Sequence, residues 1–380
     1  MKIGLKNFNP QRLIQARKAR GMTQSALALS SGVSSASLSK WEREQQLPEV
    51  ESLQNVAEVL GIPLNWFLTP LFEAKNETPS FFRSNASTTK TVREMAEVKL
   101  NWGCEVFFSL EKYLDFQEVN LIQSELDFNQ IDDEYIEKIA SNLRNHWGLG
   151  TGPILDLTEV LEQAGVVIIK EHLGYSKMDG LSKWVDGRPL IYLVSDKESS
   201  VRSRFDAAHE LGHLVLHSKV SAETYNNKSH YSELERQANY FAGCFLMPSE
   251  KAAIELAFPT LEKLKLLKLK WKTSIGMMIK RAEQLNLIDE EYKLRLWKNY
   301  SARGWRKGEP FDDSIPIEQP RLINEAVNLL ISEGGFTKEY LLKELKLSKY
   351  DLASLMQLSF DYFDFEKATI LKLKPQIKSS

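Results

Sequence analysis

Arg204-Phe205-Asp206-Ala207-Ala208-His209-Glu210-Leu211-Gly212-His213-Leu214-Val215-Leu216-His217 is the stretch on which the reading of this 380-residue chain turns. On a helix, residues four apart lie one above the other, so the imidazoles of His209 and His213 can close on one metal ion while Glu210 flanks the remaining coordination position. His-Glu-x-x-His is the signature of a hydrolytic zinc site, with Glu210 as general base. The donor types admit Zn2+, and also Mn2+ or Fe2+.

Catalytic zinc keeps three protein ligands, so a third donor is required. The run Ser232-Glu233-Leu234-Glu235-Arg236-Gln237-Ala238-Asn239-Tyr240-Phe241-Ala242 has apolar residues at helical spacing and no Gly or Pro before Gly243, and it reads as a second helix. The polar stretch 218–232 is long enough to lay that helix back along the first. Glu235 is the preferred third ligand. Its rival Glu233 points about half a turn away. Asn239, four residues after Glu235, shares its face and is expected to orient a ligand imidazole. His217 extends the 209, 213 stripe by one more turn and is a candidate oxyanion partner, beside His230, Tyr231 and Tyr175; the other reading of His217 is a buried structural group.

These two segments resemble the ImmA/IrrE-type metallopeptidases, and the likeness extends through Asn142-Leu143-Arg144-Asn145-His146-Trp147-Gly148-Leu149-Gly150, Leu161-Glu162-Gln163-Ala164-Gly165-Val166 and Ser301-Ala302-Arg303-Gly304-Trp305. It covers roughly 131–310. The resemblance implies a gluzincin-like α+β minimal peptidase in which His209, His213 and Glu235 bind metal and Glu210 is the base. Cys244 and Phe245 depart from the small or aliphatic residues usual there, without touching the chemistry.

The start of the chain carries a second pattern. Helices are expected at 10–18, 24–30, 35–42 and 50–60, with Thr23 and Ser34 as caps and Gly21, Gly32 and Gly61 as stops. Two short helices joined by a glycine turn form a helix-turn-helix, with Leu27, Ala28, Val33, Leu38 and Trp41 packing the pair. Residues 1–48 hold eight Lys and Arg against two Glu, whereas the whole chain carries a formal charge of −2. Positive charge is therefore concentrated where phosphates would dock. The pattern over about 9–68 resembles the XRE/Cro family of phage-repressor-like regulators. That resemblance implies that Gln24 touches the DNA backbone and that Ser35, Ser37 and Lys40 face the groove of a double-stranded operator. Such short side chains give few bidentate base contacts, so a homodimer on a two-fold site is expected.

Composition frames both patterns. With 43% apolar residues and this length, two or three globular domains are expected. Cys104 and Cys244 lack metal-ligand spacing and argue for a reducing compartment; no leader or membrane-length apolar run is present, so a cytoplasmic protein without a membrane partner is expected. The anticipated organisation is multidomain: an all-α head at 1–68, a linker with an amphipathic helix at 69–130, the α+β domain at 131–310, and an α-helical appendage at 311–380. The amphipathic helix spans about 91–116 with a soft interruption at Gly103, serving dimerisation or signal relay, or else packing on the core. Strands at 166–170, 180–185 and 190–194 suit a small antiparallel sheet whose edge could take an extended peptide. The basic run around Trp271, from Lys263 to Arg281, reads as a solvated helix face rather than a second nucleic-acid surface.

Two function classes follow. In the first, a DNA-binding head is joined to a metallopeptidase that cuts a regulatory protein, either its own head or a partner repressor. In the second, the metal site of a transcription regulator is structural or metal-sensing. A purely structural site would close its fourth position with a protein ligand and would have no use for the base at Glu210.

Overall fold

The computed structural model describes residues 4–84, 89–175, 178–196 and 199–364. The last part of the expected C-terminal appendage, 365–380, lies outside the described residues.

The head consists of α1 (Pro10–Ala19), α2 (Gln24–Ser31), α3 (Ser35–Glu42) and α4 (Val50–Leu60). Thr23 and Ser34 cap α2 and α3 by accepting the backbone N–H groups of Ala26 and Ser37, and Gly32 and Gly61 end α2 and α4 in the left-handed conformation that glycine tolerates best. Leu27, Leu38 and Trp41 are buried at the α2/α3 contact, and Val33 packs partly against the same core.

A strand β1 (Phe81–Ser84) precedes the long helix α5 (Lys90–Leu110). Next come α6 (Asp133–His146), α7 (Leu157–Gln163), and the strands β2 (Val167–Glu171), β3 (Met178–Val185) and β4 (Arg188–Val194). Two helices then carry the metal motif, α8 (Ser200–Leu216) and α10 (Lys228–Leu246), with the short α9 (Ala222–Asn226) between them. Helices α11 (Ser249–Glu255), α12 (Leu261–Trp271), α13 (Ile275–Gln284) and α14 (Glu290–Ala302) buttress this pair. The C-terminal region adds α15 (Leu322–Ser332), α16 (Lys338–Leu345) and α17 (Lys349–Leu355).

The sheet order is β1-β3-β4-β2. It is mixed rather than antiparallel: β3 pairs with β4 as an antiparallel hairpin, but β2 runs parallel to β4, with α7 preceding β2 and β3 intervening before the return. Strand β1 lies within the stretch expected as linker; a four-residue strand with one outward face is too short for alternation to stand out. The pleat sends alternate residues to opposite layers. Ile168, Ile191 and Leu193 join the core around α6, α8 and α10, whereas Val167, Ile169, Leu190 and Tyr192 face α5 and the C-terminal helices.

Helix α5 ends at Leu110, earlier than expected, and Gly103 lies against Ile169 of the sheet. A Cβ at Gly103 would stand 1.8 Å from Ile169 Cδ1. The glycine is therefore a packing requirement and not an interruption. On its other side α5 holds the head: Arg12 donates to Glu105 at 2.8 Å, and Lys18 pairs with Glu94 at 3.1 Å. Arg20 makes a two-pronged bond to Asp351 of α17 at 2.9 and 2.7 Å, and Lys99 of α5 donates to the same carboxylate at 2.9 Å. Of the basic run around Trp271, Lys268 and Arg281 are interior and not solvated, because Glu309 and Asp312 pair with the first and Glu137 with the second. Among the described residues no helix is long and apolar enough to cross a membrane.

Candidate metal centre

Helices α8 and α10 touch closely because Gly212 removes the side chain at their crossing. A Cβ there would meet Phe241 Cδ1 at 3.1 Å and Ala238 Cα at 3.2 Å. Close approach is what lets a donor on α10 reach the stripe on α8. His213 Nε2 lies 3.1 Å from His209 Nε2 and 3.2 Å from Glu235 Oε1, and His209 Nε2 lies 3.5 Å from Glu235 Oε2. Tetrahedral ligands about 2.1 Å from a metal stand roughly 3.4 Å apart, so the donor set fits an ion of that size.

The hydrogen bonds behind the imidazoles settle which nitrogens are bare. Asn239 Nδ2 donates to the Glu235 carbonyl at 2.7 Å, which turns its Oδ1 towards His209 Nδ1, 3.2 Å away. His209 therefore donates from Nδ1 and keeps the Nε2 lone pair free. A longer relay serves His213. Gln237 Nε2 donates to the carbonyls of Phe128 and Ile131 at 2.8 and 3.1 Å and to Glu233, leaving Oε1 to accept from His217 Nε2 at 2.9 Å. His217 Nδ1 is then an acceptor for His213 Nδ1 at 2.9 Å, and His213 Nε2 is bare. Three electron-pair donors within 3.1–3.5 Å of one another repel unless a cation sits among them, and this is the structural argument for a metal.

Electrostatics favours the same forms. Burial holds His209 down at about 4, so its imidazole is neutral at physiological pH. Glu210 is fully buried, and burial pushes its carboxyl well up against the opposing hydrogen bond from Ser182. Ser182 Oγ donates to Glu210 Oε2 at 2.6 Å, while Oε1 has no hydrogen-bond partner among the described residues. Gly180, one pleat earlier on β3, leaves space for that oxygen, since a Cβ there would come within 3.1 Å of it.

The structure therefore brings together His209, His213, Glu235, Glu210 and Asn239. His217 is different: it is wholly buried behind His213, and both its nitrogens are engaged, so it fixes the His213 imidazole and does not face the cleft. That corrects its reading as an oxyanion partner. Ser182, Gln237 and Gly212 were missed, because serine, glutamine and glycine gain these roles only from what the fold sets beside them. A cleft of about 1210 Å³ opens beside the site, lined among others by Arg83, Phe205, Asn239, Arg236 and Trp305.

Residues 161–283 match the family model of the IrrE N-terminal-like domain, and residues 13–67 match that of the helix-turn-helix. The chain joins an XRE-type helix-turn-helix domain to an IrrE-like domain. The former is also 36% identical over 78 residues to the HTH-type transcriptional regulator SutR of Escherichia coli (strain K12); the match covers 20% of this chain and 42% of that protein. The chain thus spans less than half the length of that curated relative. In the helix-turn-helix domain Ser35 and Lys40 are exposed on α3, whereas Ser37 takes a hydrogen bond from Ser34 at 2.9 Å. Gln24 donates to Glu42 at 2.6 Å, a carboxylate that Arg17 also holds, so its amide nitrogen is tied within the domain rather than directed outward.

Proposed function

We propose that the chain is a DNA-binding regulator whose IrrE-like domain is a metal-dependent endopeptidase acting on a regulatory protein, either this chain itself or a partner repressor. The observation that carries this reading is the convergence of three bare donors beside a buried carboxylate with one oxygen unpartnered among the described residues. His209, His213 and Glu235 would hold a divalent ion, Zn2+ or with the same donors Mn2+ or Fe2+, and that ion would supply Lewis acidity to a peptide carbonyl and to water.

The remaining work falls to side chains. Ser182 fixes one oxygen of Glu210, so the other is aimed and free to take a proton from the attacking water and pass it to the leaving amine. A base of raised proton affinity suits that double transfer. Asn239 and the His217–Gln237 relay keep both imidazoles in the ligating tautomer. A site serving structure or sensing alone gives no use to a buried carboxylate set beside its donors. The head would bind an operator as a dimer, with Lys40 and Ser35 presented by α3.

The test is Glu210→Gln. Zinc or manganese binding is expected to stay, while mass spectrometry of a candidate repressor mixed with the protein should show cleavage by the parent and a loss of about a hundredfold or more in the variant. Equal products from both would remove the enzymatic proposal.

A further inference from the structure

The edge of the sheet beside the metal centre is already taken, and the strand that takes it belongs to the segment following the helix-turn-helix domain. Phe81, Phe82 and Arg83 pair antiparallel with Ser182, Leu181 and Gly180 of β3. Two of those partners border Glu210: Ser182 donates to it, and Gly180 leaves the space its other oxygen needs. A peptide presented to Glu210 by adding to this edge would have to displace β1, since the other face of β3 is paired with β4.

The occupant is held in the way an enzyme holds an extended ligand. The Phe82 backbone N–H donates to Tyr225 Oη at 2.9 Å, and Tyr231 Oη donates to the Phe82 carbonyl at 3.0 Å. Tyr231 stands one turn before Glu235 on α10, so both hydroxyls clamp one residue of an edge strand next to the metal donors. The alternate side chains point to the site. Phe81 is buried in a pocket of Val220, Leu234, Phe128 and Tyr225, with its ring stacked on His213 at 4.9 Å and 12°. Arg83 pairs with Asp206 and lies in the field of Asp179, Glu210 and Glu235. Strand β1 offers only a short ladder, because it is four residues long and its register slips between Arg83 and Ser84.

We propose that residues 81–83 occupy the substrate groove of the IrrE-like domain as an internal substrate-like strand, closing the site until they leave, and that the incoming substrate is an extended peptide with an aromatic residue in the place of Phe81 and a basic residue in that of Arg83. This inference rests on the peptidase reading for the word substrate, while occlusion of the groove stands or falls by binding alone. Upstream contacts extend the cover along β3: Thr78 N–H donates to the Trp184 carbonyl at 3.0 Å, and Lys183 pairs with Glu77 at 2.8 Å. Whatever draws the segment off β3 opens the groove.

The experiment uses the full chain with zinc and the Glu210→Gln change, so that nothing is hydrolysed, and a labelled peptide copied from residues 78–84 as probe, read by fluorescence anisotropy. Phe81→Ala empties the pocket and is expected to tighten probe binding about tenfold or more, because the competent state is no longer a small fraction of the population. A probe with alanine in place of its Phe81 equivalent should lose that gain. A second variant guards against misfolding. Phe82 turns its N–H and carbonyl away from β3, so Phe82 and Leu181 form a non-hydrogen-bonded pair whose Cα atoms lie about 4.5 Å apart, within disulfide reach. In Phe82→Cys/Leu181→Cys the oxidised chain should refuse the probe and the reduced chain accept it. Probe affinity unchanged by Phe81→Ala, or equal in the oxidised and reduced pair, overturns the occlusion. If Phe81→Ala with Glu210 restored binds the probe yet never cuts it, the occlusion stands and the peptidase reading falls.

Discussion

Replacing His217 by alanine separates two roles that the sequence could not tell apart. In the structure His217 accepts the Nδ1 proton of His213 at 2.9 Å and is itself fixed by Gln237 at 2.9 Å. Its loss leaves a donor on a wholly buried imidazole without an acceptor, a penalty of about 1–3 kcal/mol. The proton can avoid that penalty by moving to Nε2, which is the nitrogen that faces His209 and Glu235. Either way metal binding suffers, and the energy corresponds to a weakening of roughly tenfold to a hundredfold, the range typical when the partner of a ligating histidine is removed. The assay is zinc titration against a competing chelator, with unfolding followed in parallel. Gln237→Ala should move affinity in the same direction by less, since His217 stays in place but loses its anchor. Zinc affinity within twofold of the parent, combined with a large fall in turnover, would refute the relay and return His217 to the substrate.

Gly212→Ala should lower metal affinity as well as stability, because the added methyl meets Ala238 and Phe241 at 3.1–3.2 Å and spreads α8 from α10; overpacking of this kind costs about 1–3 kcal/mol, and the same chelator titration with a melting curve checks it. Lys40→Ala should weaken operator binding and reduce the slope of log affinity against log salt by about one, measured by gel shift across a salt series, whereas an unchanged slope would place Lys40 off the DNA. Burial would raise the Asp351 carboxyl, but Arg20, Lys99 and Ser348 outweigh it and hold it down at about 2 against an ordinary 3.8. A depressed carboxylate stabilises the fold above its unfolded pKa and loses that contribution as pH falls, so about 2 kcal/mol should vanish between pH 3.8 and 2; Asp351→Asn should remove most of this dependence in urea titrations at a series of pH values.

Local chemistry made much of this legible without coordinates. The i, i+4 spacing of His209 and His213, the helical run bearing Glu235 and Asn239, and the capped short helices of the head depend on periodicities that a chain carries in its own order. What required the tertiary structure was everything decided by which surfaces meet. Gly103 and Gly212 look like weak points in helices and prove to be crossings, because their missing side chains matter only where Ile169 and Ala238 arrive. His217 continues the 209, 213 spacing, but α8 ends at Leu216, and His217, the residue that caps it, is held between Gln237 and the rear of His213. Phe81 to Arg83 carry too little pattern to announce a strand, and their edge position comes from β3 having an unpaired side next to α8. Periodicity places a residue on a face; only packing determines what that face touches.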